Sequence, residues 1–391
     1  MNPEITAQRR LPPPNSISPA LSQAPSQALF SPSSILLSED IVFKHPPSRD
    51  SMTESKVHES RSEIHDRGAE GFSVYAKGMD ASMVEKVKIL PFVKPGRIIE
   101  MGCGNGAVLD LISQAYPESA ITGIDLSDTM LDMATRRAYQ GRVGFIKANV
   151  KDIAFTENSI DTIAFCSTLH EVYSYSGYDR KALDTALEHA YSALTPGGRI
   201  IIRDGVKPCN DIVFLEFKNP ETKKKFLRFA KEFGPYTVPY TIHTIQPHQT
   251  IQANLGMPQG EMARLRREDA YEFLSKYIYD KNWNIEVKEQ FGVYTAAEYS
   301  KKLEDIGFRI VHQESYINQW LVDNHYSKDA ALFKKTKSGL IPLPYPDTTL
   351  VLVGEKISPS ATLSTLSKWS KLPNSSTLPN AVDTKYTEGR P

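Results

Sequence analysis

Between residues 97 and 205, short apolar runs rich in β-branched residues alternate with stretches whose apolar positions recur every three or four. That alternation is the mark of a parallel sheet with crossover helices. "RIIEM" reads as the first strand, "AITGIDL" as the second, "VGFIKANV" and "IDTIAFCS" as the third and fourth, and "GRIIIRDGV" as the fifth. In "RKALDTALEHAYSALT", Leu183, Ala186, Leu187, Ala190, Tyr191 and Leu194 fall on one helical face, and "TPGG" punctuates its end. The order breaks after residue 205. Stretches such as "DIVFLEFKNPETKKKFLRFAKEF" and "REDAYEFLSKYIYDKNW" read as a helical, aromatic-rich insertion over 206–292, far longer than a connection. "TAAEYSKKLEDIGF" resumes as a helix, and "RIVHQESYI" with "TTLVLVGEK" closes the sheet as a strand pair within 293–357.

Composition sets the limits of the folded region. Residues 1–60 and 358–391 are rich in proline and serine, which remove backbone donors and add little burial, so both read as disordered tails. The folded region then runs from about 64 to 357, with 64–205 as its core. A hydrophobic fraction of 40% supports a sizeable interior. Lysine plus arginine (46) equals aspartate plus glutamate (46), so no positive field argues for nucleic acid. The short basic runs "KKKFLR" and "RLRR" are interleaved with acids and read as solvated helix faces. Three cysteines without a CxxC pair give no disulfide scaffold and no cysteine-based zinc site, and no metal is expected. No run of about 18 apolar residues or signal-peptide pattern stands out, which leaves a cytoplasmic setting as the default expectation.

The candidate chemistry begins at "IIEMGCGNGAVLDL", residues 98–111. Glycines at 102, 104 and 106 let backbone amides approach a ligand, and the helix that follows aims its positive end at the same place. "GCGNGA" also fits the dinucleotide-binding pattern, and Asp125, ending the second strand, suits a ribose diol in either case. Glu100, two residues ahead of the glycines, tilts the reading away from a pyrophosphate, which its carboxylate would repel. An amino-acid moiety would instead find an acceptor there.

Taken with "ITGIDLSDTML", "VGFIKANVKDIAF", "IDTIAFCSTLHEV" and "ALTPGGRIII", in this order and spacing, the loop resembles the class I S-adenosylmethionine-dependent methyltransferases. The resemblance covers about residues 72–204. It implies an α/β, Rossmann-like, seven-stranded mostly parallel sheet with helices on both faces, to which the insertion adds a helical lid. It implies S-adenosylmethionine as cofactor, with Glu100, Gly102, Gly104 and Gly106 around its methionine part and Asp125 on both ribose hydroxyls. Leu126 and Met130 would pack on the adenine. Asn149 stands where the family often has an aspartate for the adenine amino group, with Val150 beside it; an amide oxygen can still accept that hydrogen bond. Tyr75, in "GFSVYAKGMD", stands either over the cofactor or in the core.

Methyl transfer from a sulfonium needs an in-line nucleophile held close, and a base only where the acceptor carries a proton that must leave. "STLHEVYSY" follows the fourth strand, where the sheet's carboxyl edge faces substrate. His170 and Glu171 are its candidate catalytic residues. The segment is similar to the "LHDW" stretch of small-molecule O-methyltransferases, although the tryptophan is absent. His170 therefore stands as a base or as a packed, hydrogen-bonding residue. Asp204 is either a pocket acid at the fifth strand's end or a salt-bridged structural one. Aromatic residues of the insertion, Phe226, Phe273 and Trp283 among them, wall an apolar pocket or form ordinary core. The expected activity is methyl transfer to a small, partly apolar or aromatic molecule. Methylation of protein or RNA, and a cofactor-binding scaffold without catalysis, are the rival readings.

Overall fold

The computed structural model describes residues 83–245 and 260–357. Tyr75 and both terminal tails lie outside the described residues. Seven strands form the main sheet: β1 (Arg97–Met101), β2 (Ala120–Asp125), β3 (Arg142–Lys147), β4 (Ile160–Cys166), β5 (Leu194–Asp204), β9 (Phe308–Tyr316) and β12 (Thr349–Lys356). Their order is β3-β2-β1-β4-β5-β12-β9. The first five run parallel, whereas β12 is antiparallel to both β5 and β9. The expected Rossmann-like, mostly parallel sheet is the observed one.

Strand alternation builds a core on each face. Ile99 and Met101 of β1, with Ile200 and Ile202 of β5, pack on one side with Leu183, Leu187 and Ala190 of α4 (Arg180–Ala193) and Leu303 of α7 (Ala296–Ile306). Ile98 and Ile201 point the other way, toward Val108, Leu109 and Ile112 of α1 (Ala107–Ala115). Residues one apart thus serve opposite layers, as pleating requires. The remaining longer helices are α2 (Asp128–Thr135), α3 (Leu169–Ser174), α5 (Pro220–Glu232) and α6 (Arg267–Lys276).

The insertion departs from the helical expectation. It contributes β6 (Ile212–Phe217), β7 (Thr241–Ile245) and β8 (Gly260–Arg266) as well as α5 and α6. These strands join β10 (Ala330–Thr336) and β11 (Gly339–Leu343) in a second sheet, order β11-β10-β6-β8-β7, whose paired strands are antiparallel. The second layer therefore takes residues from 330–343, which the sequence reading assigned to the end of the first. The local cause is legible afterwards. "IVFLEF" has no polar helical face, and Asn219 with Pro220 forms an N-cap and first turn that start α5 only after the strand. Phe226, Phe229, Phe273 and Trp283 fill the core of this unit rather than an open pocket. All three cysteines are free, with Cys103 and Cys166 buried and Cys209 exposed.

Candidate active site

The cofactor-side residues gather at the carboxyl ends of β1 and β2. Gly102, Gly104 and Gly106 have φ of 72°, 51° and 77°, left-handed values that cost little only for glycine. A β-carbon on Gly102 would lie 2.5 Å from Thr168 Cγ2, so that position excludes side chains twice over. Amides of Gly102 and Cys103 donate to the Ile124 carbonyl at 2.8 and 2.9 Å, stitching the loop to β2. Asp125 Oδ2 accepts from Gly104 N at 2.8 Å and Oδ1 from Ser127 N at 2.9 Å. A carboxylate offers about four lone-pair sites, more than the amides of Gly104, Ser127 and Leu126 occupy. Burial raises the Asp125 pKa, against the backbone donors that lower it.

Glu100 is 2% exposed, and its Oε2 has no hydrogen-bond partner among the described residues. Burial pushes its pKa up to about 8; Lys86 pulls it down and Asp125 adds to the rise. An orphaned buried carboxyl oxygen beside a glycine loop is what a ligand's ammonium would satisfy. Met130 is buried near the start of α2, and Leu126 is half-buried. Asn149 Oδ1 accepts from Lys151 N at 3.2 Å, leaving an acceptor site, and Val150 is 8% exposed in the core. The residues present fit S-adenosylmethionine.

The acceptor-side residues stand at the neighbouring ends of β4 and β5. Ser167 takes a left-handed turn, with φ 58°, and leads directly into Thr168 and α3. Thr168 Oγ1 donates to the Met101 carbonyl at 2.9 Å, which joins this turn to the glycine loop. Asp204 Oδ2 accepts from Leu169 N at 2.8 Å, and more loosely from the Thr168 and His170 amides. Its Oδ1 lies 2.6 Å from His170 Nδ1. Asp204 thus stands as the salt-bridged alternative: buried, it holds both the start of α3 and the imidazole.

His170 is 8% exposed. Its Nε2 lies 3.5 Å from Oε2 of Glu289, a buried residue that the sequence reading did not single out. Burial lowers the His170 pKa, but Asp204 and Glu289 outweigh it and hold the imidazole well above its usual range. Burial likewise raises Asp204, and His170 overcomes it to bring that carboxyl down. Tyr175 donates its hydroxyl to Glu289 Oε1 at 2.6 Å, and the Phe291 ring meets the imidazole edge-on at 4.8 Å. Glu171 is half-buried beside them; its donor oxygen, His170 and Glu289 lie within 4.8 Å of one another.

The segment carrying Glu289 is held by α6 of the same insertion. Glu272 accepts from Phe291 N at 3.1 Å and Gly292 N at 2.7 Å, and pairs at 2.5 Å with Lys276, which is wholly buried. Lys276 Nζ also sits 3.7 Å from the centre of the Phe291 ring. Gln290 N donates to Ser174 Oγ at 2.9 Å, tying the segment back to α3. No local motif marks this strap; only the Glu272 and Lys276 spacing of four on a helix hints at a pair.

A parallel sheet with a glycine loop and a strand-end carboxylate at one carboxyl edge is an arrangement on which nucleotide cofactors are bound. Residues 98–198 match the family model described as a methyltransferase domain. Over that stretch, about a quarter of the chain, the sequence is similar to methyltransferase domains. A ubiquinone/menaquinone biosynthesis C-methyltransferase from Geotalea daltonii is 31% identical over 144 residues, 34% of this chain and 57% of that protein. A malonyl-[acyl-carrier protein] O-methyltransferase from Priestia megaterium is 24% identical over 150 residues, 38% of this chain and 52% of that protein. The chain spans about half the length of these curated relatives. An S-adenosylmethionine dependent methyltransferase structure from Mesorhizobium loti aligns with 71% of this chain and 98% of its own, at TM-score 0.42 and 15% identity. No helix among the described residues is long and apolar enough to cross a membrane.

Proposed function

We propose that this chain transfers a methyl group from S-adenosylmethionine to a small, partly apolar or aromatic molecule. The observation that carries this reading is the junction at Thr168, where the glycine loop and the His170 turn share one strand edge. When bound, S-adenosylmethionine supplies an activated, electrophilic methyl group. Glu100 and the three glycines would hold its amino-acid end, Asp125 its ribose hydroxyls, and Leu126, Met130 and Asn149 its base. Asp204 orients His170, and His170 with Glu171 and Glu289 would receive the acceptor's polar end. The strap at 289–292 covers the imidazole, which supports a small acceptor over a polymer laid on an open face.

Isothermal titration with S-adenosylmethionine tests the cofactor half. Asp125→Ala removes an acceptor of two charge-assisted hydrogen bonds and is expected to weaken binding by roughly 10- to 100-fold. Unchanged affinity, or a preference for NAD, overturns the assignment. Incubating cell extract with the enzyme and methyl-labelled S-adenosylmethionine tests the acceptor half by mass spectrometry. Label in a small product supports the reading, and label confined to protein or RNA refutes it.

A further inference from the structure

The arrangement around His170 has two unequal sides. On one, Nδ1 is bonded to Asp204 at 2.6 Å. On the other, Nε2 and the nearest Glu289 oxygen are 3.5 Å apart, beyond the 2.7–3.2 Å of an ordinary N–H···O bond. That length is close to the edge of a tetrahedron of donors about 2.1 Å from a shared ion, which is about 3.4 Å. Glu171, next to His170 in the chain, brings a third donor, and the three donor atoms lie within 4.8 Å of one another. Three donors from segments more than a hundred residues apart converge while the imidazole is fixed from behind.

We propose that His170 Nε2, Glu171 and Glu289 form a binding site for a divalent transition-metal ion, with Asp204 as the carboxylate that orients the histidine. Ligating histidines almost always donate their other ring N–H to such a group, which sets the tautomer and the ring's direction. Here Asp204 is the acceptor at Nδ1, and it is itself held by the amides of Leu169 and Gly205 at 2.8 and 2.7 Å. On the opposite flank, the Tyr175 hydroxyl donates to Glu289 Oε1, and Oε2 is the oxygen nearest the imidazole. One imidazole and two carboxylates suit Zn²⁺, Mn²⁺ or Fe²⁺ better than soft Cu(I), which prefers sulfur. Three protein donors leave at least one coordination position for water or an acceptor oxygen. Cysteine spacing carries no signal for such a site, because its donors are nitrogen and oxygen.

The test needs no methyl acceptor, so its outcome is separate from that of the methyl-transfer reading. Full-length protein without a histidine tag is stripped with a chelator, then titrated with Zn²⁺ and with Mn²⁺ by calorimetry. One ion per chain is expected from at least one of them, with a rise in thermal midpoint on loading. His170→Gln, Glu171→Gln and Glu289→Gln should abolish that binding, and Asp204→Asn should weaken it by roughly 10- to 100-fold. Circular dichroism and S-adenosylmethionine binding identify the variants that remain folded; Glu171→Gln, at a half-buried position, is the most conservative. No stoichiometric binding by the unsubstituted chain overturns the proposal. So does one-ion binding that persists in folded Glu171→Gln and Glu289→Gln.

Discussion

Replacing Glu100 with glutamine should stabilise the cofactor-free protein, by an amount that depends on pH in a calculable way. Glu100 is 2% exposed, and burial raises its pKa from 4.5 to about 8. The unfolded chain releases this proton near pH 4.5, whereas the folded chain keeps it until about pH 8. Between those values the native state binds one more proton than the unfolded state, so stability falls by about 1.4 kcal/mol per pH unit. The accumulated penalty is roughly 3 kcal/mol at pH 7 and approaches about 5 kcal/mol above pH 8. Against a total of about 5–15 kcal/mol for a domain, that is large. Glu100→Gln keeps the shape without the ionisation. Its advantage should be near zero at pH 4.5, roughly 3 kcal/mol at pH 7 and largest at pH 9. Urea unfolding of both proteins at pH 5, 7 and 9, followed by circular dichroism, measures it. Because the orphaned oxygen is the proposed seat of the cofactor's ammonium, the same variant should bind S-adenosylmethionine less tightly. Parallel pH profiles for the two proteins would refute the reasoning.

Three further substitutions probe the scaffold of the site. Gly102→Ala adds a left-handed backbone penalty and a clash with Thr168, and should cost about 2–4 kcal/mol in urea unfolding; a cost under about 1 kcal/mol would mean the loop relaxes freely. Lys276→Met leaves Glu272 buried without its lysine partner, a loss of about 3–5 kcal/mol, whereas the double variant Glu272→Gln/Lys276→Met should recover part of it; no recovery would show that the two act independently. Thr295→Ala removes a capping box at the start of α7, worth about 1 kcal/mol in thermal or urea unfolding, and should leave S-adenosylmethionine affinity unchanged.

The main sheet was legible because each of its strands carries its own signal. "RIIEM" and "GRIIIRDGV" are short β-branched runs, and the intervening helices repeat at three and four. The second sheet was not legible, for reasons of chemistry rather than length. "IVFLEF" is apolar at nearly every position, which fits a buried strand or a buried helix equally well. Its partners β8 and β10 are distant in the chain, and their pairing is a tertiary fact that no local pattern states. The aromatic residues that looked able to wall a pocket are spent on holding this second layer together.

The same distinction divides the candidate site. Its cofactor half, from Glu100 to Val150, lies within one stretch of chain whose glycines and strand-end acids are required at fixed spacings by backbone geometry. Sequence alone therefore proposes residues for it. The acceptor half is assembled from four separate segments: the Thr168–Glu171 turn, Asp204, the Glu272–Lys276 pair and the 289–292 strap. Of these, Glu289 reaches His170 only because Glu272 holds the amides of Phe291 and Gly292, and Ser174 holds that of Gln290. A substitution in α6 should therefore alter the acceptor side while sparing the glycine loop. In Lys276→Met, if it folds, S-adenosylmethionine affinity should stay near that of the unsubstituted chain while methyl transfer falls. Equal losses in both would mean that the insertion supports the whole edge of the sheet instead of its acceptor half.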